Sequence, residues 1–147
     1  MVRAELSVTI KRPVEEVFAA MSDASKNTQW VSAVSEVTKT SDGPIGVGTT
    51  YHSVGKFLGR RMESDITYTE FEPNSRYAFE TSTPFPITAT FTYESVAGGT
   101  RVDQVVEAEP GGFFKLAGPL LVAAAKRQFQ NDLDNLLDLL EADALAD

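Results

Sequence analysis

Cysteine is absent from the 147-residue sequence. Disulfides, thiolate nucleophiles and cysteine-held metals are thereby excluded, and the absence fits a reducing cytoplasm. Histidine occurs once, at His52, and tryptophan once, at Trp30. One histidine among scattered carboxylates makes no metal-ligand cluster, so no metal or other cofactor is expected. Positive charge is scarce too: 13 Lys and Arg face 21 Asp and Glu, for a net charge of −8. An acidic surface repels phosphate backbones and anionic lipid. The basic pairs Lys11-Arg12, Arg60-Arg61 and Lys126-Arg127 are short and dispersed, so nucleic acid is not an expected partner. Long apolar runs are missing as well. The stretch Leu116 to Ala125 falls well below the roughly 18 residues of a spanning helix, which argues against stable membrane insertion. The start, "MVRAELSVTIK", has no apolar signal core. A soluble, cytoplasmic protein is expected.

What is present is the composition of a globular chain, 42% hydrophobic and 23% charged. Residues 1–147 fit one domain, a size at which about 68–70% of the unfolded surface is buried. From Val2 to Ile10 apolar residues take every second place, the pattern of a strand with one buried face. In "RPVEEVFAAMSD", Pro13 suits a first helical turn and Glu15 and Glu16 favour the positive end of the helix dipole. Val14, Val17, Phe18 and Met21 make one apolar stripe. Asp23 can cap a second short helix running to about Trp30.

Strands and turns then alternate from Val34 to Ala108. The breaks are "SDGPIGVG", "GKFLGR", "EPNSR", "PFP" and the hairpin "AGG", all too short for parallel crossovers. "GVGTTYHSVG" is a turn rather than a nucleotide loop, because Tyr51 stands where a third glycine belongs and a strand follows. The end of the chain is helical. Ala125, Phe129, Leu133, Leu136, Leu137 and Leu140 form its stripe, with Asp132, Asp134, Asn135, Asp138 and Glu141 mainly away from it. From Pro119 to Asp143 the rise is about 37 Å, enough to cross a sheet.

Strand, two short helices, six strands and a long helix make an α+β plan: helices on one face of a curved, antiparallel seven-stranded sheet. One row of helix side chains does not fill such a concave face, so bulky aromatics or a ligand must occupy the remainder. Strand parity turns Met62, Ser64, Ile66 and Tyr68 inward, with Tyr77, Phe79, Ile87, Ala89, Phe91, Tyr93, Val102, Gln104, Val106 and Ala108. Rings and methyls with few polar groups suit a small-molecule pocket, and they suit a dry core equally. His52, the one side chain that titrates near neutrality, is a weak candidate for acid–base catalysis. The parity of "TTYHSV" leaves its facing open.

The order and spacing of "VTIKRPVEEVFAAMSDASKNTQWVSAVSEVTKTSDGPIGVGTTY", "FEPNSRYAFE", "GGTRVDQVVE" and the terminal helix resemble the START-like, helix-grip superfamily. Within it the likeness is to the polyketide cyclase/dehydrase and lipid-transport-like group, over nearly the whole chain. The resemblance implies a cavity between sheet and long helix and a hydrophobic small molecule as partner. It also implies that the Trp30 ring faces that cavity. The expected lining is Trp30, Ser64, Tyr68, Phe79, Phe91, Tyr93, Gln104, Leu121, Phe129 and Leu133. Phe113 through Ala125 would border its entrance as a lid, and Phe57 and Leu58 of "KFLG" would either gate it or form a plain turn. Fold-mates differ in function. A carrier or sensor of a lipid, polyketide or isoprenoid is the leading expectation. An aromatase/cyclase or dehydratase using Tyr, Ser, Gln or His52 comes second, and a protein-interaction module last.

Overall fold

The computed structural model describes residues 2–57, 59–83, 86–109 and 118–143; the side chains of Val2, Phe57 and Leu121 lie outside that description. Strand β1 (Val2–Ile10) leads into helix α1 (Val14–Ser22) and a 3-10 helix, α2 (Ala24–Gln29). Six strands follow: β2 (Val34–Lys39), β3 (Thr50–Phe57), β4 (Arg60–Glu72), β5 (Arg76–Thr81), β6 (Ile87–Val96) and β7 (Gly99–Ala108). Helix α3 (Gly118–Glu141) ends the described chain. All neighbours pair antiparallel in the order β1-β7-β6-β5-β4-β3-β2.

The amphipathic stripe of α1 behaves as its spacing predicts. Val17, Phe18 and Met21 are buried, and Val14 packs partly buried against them. Asp23 caps α2, accepting hydrogen bonds from the Ser25 amide at 3.0 Å and its hydroxyl at 2.6 Å. The strands of "GKFLGR" run further than the turn-rich text suggests: β3 continues through Phe57 and β4 begins at Arg60. Gly59, at φ 78°, supplies the left-handed residue of that tight connection.

Two close approaches shape the edges. A Cβ at Gly99 would lie 2.1 Å from the Ile10 carbonyl oxygen, and one at Gly55 would lie 2.1 Å from that of Ala33. Only glycine admits the neighbouring chain there. A bulge between Val34 and Glu36 and another between Tyr68 and Glu70 interrupt the ladders. The second one re-aims β4, so that Tyr68 and Phe71, rather than Tyr68 and Glu70, turn inward.

Helix α3 is tied at its C-terminal end to the corner between β1 and α1. Arg12 Nε donates to the Leu140 carbonyl at 2.8 Å, and the guanidinium pairs with Asp143 and, at 3.8 Å, with Glu16. The last turn of α3 has no basic residue of its own, so Arg12 supplies the cation that the negative helix end favours. From that anchor α3 runs back along β1, its closest backbone neighbour among the strands. Its first turns therefore lie at the end of the sheet where Val2 pairs with Ala108 and Ala108 with Ile87. No helix among the described residues is long and apolar enough to cross a membrane.

Candidate ligand site

The interior divides into two unlike halves. Beneath α1 it is packed with rings. Phe18 meets Tyr93 edge-on at 5.0 Å, Phe71 at 5.4 Å and Tyr77 at 6.3 Å. Tyr77 stacks on Phe91 at 4.8 Å, and Tyr68 joins Tyr51 at 5.4 Å and Tyr77 at 5.5 Å. Three of the hydroxyls then clamp the junction between α1 and α2. Tyr68 donates to the Ser22 carbonyl at 2.6 Å and accepts from the Ala24 amide at 3.2 Å. Tyr77 donates to Met21 O at 3.1 Å, and Tyr51 to Asp23 Oδ1 at 3.3 Å. Burial, above all, raises the phenol pKa of Tyr68 and Tyr77 well above the usual range, and with the Asp23 charge pushes that of Tyr51 up to about 12. All three stay protonated, as donors must.

Toward the other end of the sheet the packing loosens. Inward-facing Leu6, Met62, Phe79, Ile87 and Val106 are only half-buried. The part of α3 above them behaves alike. Between Pro119 and Asn131 no described residue is fully buried, and Leu120 is 76% exposed. From Asp132 on, Leu133 and Leu136 are wholly buried and Leu140 nearly so. One helix thus seals the core with its second half and only overhangs the sheet with its first.

The expected lining residues fall along this division. Leu133 closes the packed half, while Phe129 is half-buried one turn earlier. Phe79 lies beside Ala89 in the ladder and 6.3 Å from Phe91. Gln104 stands between Phe91 and Leu6 across the strands, 8% exposed. Trp30, at the C-terminal cap of α2, is 6% exposed, and its Nε1 has no hydrogen-bond partner among the described residues. The same holds for the Tyr93 hydroxyl. Ser64 is inward but peripheral, donating to the Thr83 carbonyl at 2.8 Å. Tyr68 faces inward as expected, but its hydroxyl is committed to the α1–α2 junction. The Leu121 side chain, residues 113–117 of the expected lid and Leu58 lie outside the described residues.

His52 does not reach this interior. Tyr51 and Ser53 take the inward positions of β3, so His52 projects from the opposite, convex face. There Nδ1 lies 2.8 Å from Asp65 and Nε2 3.1 Å from Glu63, both on β4. Hydrogen bonds to these carboxylates, Asp65 first, raise the imidazole pKa above 6.5. The weak catalytic candidate is therefore a cross-strand tie, held by two acids that the sequence alone does not pair with it.

A second correction concerns Asp132. Its place in the stripe's polar flank suggests a wet side chain, yet it is 3% exposed and accepts from the Ser32 amide and hydroxyl, each at 2.9 Å. Burial raises its pKa against the pull of those donors. The signal available in the sequence is its position beside Leu133, at the border of the apolar stripe. Phe71 and Tyr51 also belong to the aromatic core. The bulge hides the first from a strict period of two, and ambiguous parity hides the second.

A curved seven-stranded antiparallel sheet with a long C-terminal helix and short helices after its first strand is the START-like, helix-grip fold. Over residues 1–141 the sequence matches the family described as polyketide cyclase / dehydrase and lipid transport, and the chain belongs to that family. Among solved structures it is similar to TTHA0849 from Thermus thermophilus, with a TM-score of 0.82 and 17% identity, covering 97% of this chain and 99% of that one. It also resembles Ara h 8.0201, at a TM-score of 0.75 and 15% identity, covering 96% and 98% of the two chains. SA2116 from Staphylococcus aureus, a protein of unknown function, aligns at a TM-score of 0.75 and 16% identity, covering 99% and 96%. Comparison with curated proteins gives no match. Family and fold together indicate a ligand-binding or polyketide cyclase/dehydrase-type protein.

Proposed function

We propose that this protein binds a small hydrophobic molecule, of lipid, polyketide or isoprenoid type, between the concave face of the sheet and the first half of α3, acting as a carrier or sensor. The observation that carries this reading is the unequal burial of α3. A helix that served only to close a dry core would bury its stripe along its whole length, whereas here Phe129 and the strand residues Leu6, Phe79 and Val106 keep apolar surface uncovered. Apolar area of this kind supplies affinity at roughly 25 cal/mol per Å² removed from water. Release would use the same feature, since the first half of α3 has little buried contact to break before it shifts.

The cyclase or dehydratase alternative asks for an acid or base beside the reacting chain. His52 is on the convex face, and the hydroxyls of Tyr51, Tyr68 and Tyr77 are engaged in the scaffold. The carrier reading needs none of these groups.

Mass spectrometry of the natively purified protein should reveal a co-purified apolar compound. An environment-sensitive apolar dye should bind saturably, be displaced by long-chain or polycyclic compounds and quench Trp30. A dye that neither saturates nor responds to any competitor removes the proposal.

A further inference from the structure

We infer that the ligand is an uncharged molecule with a mainly apolar frame and a carbonyl-type oxygen, recognised by the Gln104 amide with the Tyr93 hydroxyl beside it. This rests on the ligand-binding reading above and specifies its chemistry. Gln104 is more than nine-tenths buried, flanked across the strands by Phe91 and Leu6, whose side chains offer no hydrogen bonds. Its side-chain amide bonds to none of the described residues. The amide atoms are not among the fully buried atoms without a partner, so they keep contact with accessible space, where a ligand can exchange a bond with water for one with Gln104.

Tyr93 stands diagonally to Gln104 on the same face, because Tyr93 pairs with Val102 while Phe91 pairs with Gln104. Diagonal neighbours are about 7–8 Å apart, within reach of one ligand oxygen for long side chains. The tyrosines separate cleanly by role. The hydroxyls of Tyr51, Tyr68 and Tyr77 hold the α1–α2 junction, while that of Tyr93, 7% exposed, bonds to none of the described residues. Trp30 Nε1 is a further buried donor without a partner among them, and an indole can only donate. A ligand acceptor suits the donors of Gln104 and Tyr93 alike.

Charge narrows the class further. On β1, β6 and β7, the strands around Gln104, the inward positions carry no Lys or Arg. The inward cations, Lys39 and Arg60, stand on β2 and at the start of β4, and the one charged residue buried among the described residues is an acid, Asp132. A carboxylate or phosphate drawn into this recess would be stripped of water without meeting a cation. Fatty acids and phospholipid headgroups are therefore disfavoured against ketones, quinones, esters and similar neutral oxygen compounds.

Three probes on one tricyclic frame test this by calorimetric titration: 9-fluorenone, its parent hydrocarbon fluorene, and fluorene-9-carboxylate. The ketone should bind about tenfold more tightly than the hydrocarbon, the gain expected of one well-made buried hydrogen bond. The carboxylate should bind weakest of the three. Gln104→Met keeps length and apolar contact, and Tyr93→Phe keeps the ring. Each should lower ketone affinity several-fold while leaving hydrocarbon affinity unchanged, with thermal melting confirming the fold. The ratio of ketone to hydrocarbon affinity is the decisive readout, because a merely structural role would move both together. Equal affinities in the wild type, or a ratio insensitive to both variants, overturn this inference and leave the ligand-binding reading standing. Tightest binding of the carboxylate overturns it too. Failure of all three probes to bind counts against the site itself.

Discussion

Four tyrosines with similar burial play two roles, and the hydrogen-bond partners tell them apart. Tyr68 satisfies a carbonyl and an amide where α1 ends, two backbone groups that are otherwise left unpaired by the break in the helix. Tyr68→Phe should therefore cost about 1–3 kcal/mol in urea unfolding, the range for stranding buried polar groups. Tyr93→Phe removes a hydroxyl that has no partner among the described residues, and stability should stay level or rise by up to about 1 kcal/mol. An equal loss in both variants would contradict the division.

His52 is the residue for which pH matters. With its pKa raised in the folded protein above 6.5, the bonds to Asp65 and Glu63 add stability that is fully present below pH 6.5 and is lost as pH rises through the folded value. The groups around it are Asp65 and Glu63 on β4, the latter also paired with Arg61 at 3.2 Å, and Thr38 opposite on β2. The melting temperature of the wild type should exceed that of His52→Gln at about pH 5.5, with the gap closing by about pH 9. As the only histidine it gives a single imidazole titration by NMR, and a midpoint at or below 6.5 would rule the tie out.

At the scale of elements, α3 is held at two points: Arg12 at its C-terminal end and Asp132 at the middle. Asp132→Ala breaks two hydrogen bonds to Ser32 and should cost about 1–3 kcal/mol. Asp132→Asn keeps an acceptor and removes the buried charge. The folded pKa of Asp132 is raised above the ordinary 3.8, so the folded state holds its proton longer and wild-type stability falls as pH rises through that window. The advantage of the asparagine variant over the wild type should accordingly grow across the window and be flat above it, as followed by melting temperature. Glycine at the β1–β7 corner is equally constrained. In Gly99→Ala the new methyl would collide with the backbone of Ile10, so the variant should unfold at clearly lower urea concentration than Ala97→Ser in the same turn.

For the whole molecule, the question is how a core can be firm at one end and accessible at the other. The aromatic cluster under α1 and the buried Leu133, Leu136 and Leu140 form a continuous packed body. The opposite end of the sheet relies on half-buried contacts. Amide exchange should follow this gradient, with residues 119–130 of α3 exchanging much faster than 132–140, and a bound apolar ligand slowing the first group selectively. Uniform protection along α3 would mean that the helix opens only as one piece. Leu133→Ala, at the border, should cost about 2–5 kcal/mol as a core truncation.

Periodicity along the chain was enough for the strands, the two short helices, the long terminal helix and most inward positions. Alternation and helical spacing are local consequences of which faces are apolar, and they survive without knowledge of partners. The pairing of β1 with β7, the inward turn of Phe71 after the bulge, the acids around His52 and the burial of Asp132 against Ser32 were decided by residues far apart in the chain. Asp132 and Ser32 are 100 positions apart, and no local pattern encodes a partner at that distance. The same reason governs the site. Its apolar character is written in the strands, while the choice of which hydroxyls build the scaffold and which polar groups stay free arises only where strand ladders and helix ends meet.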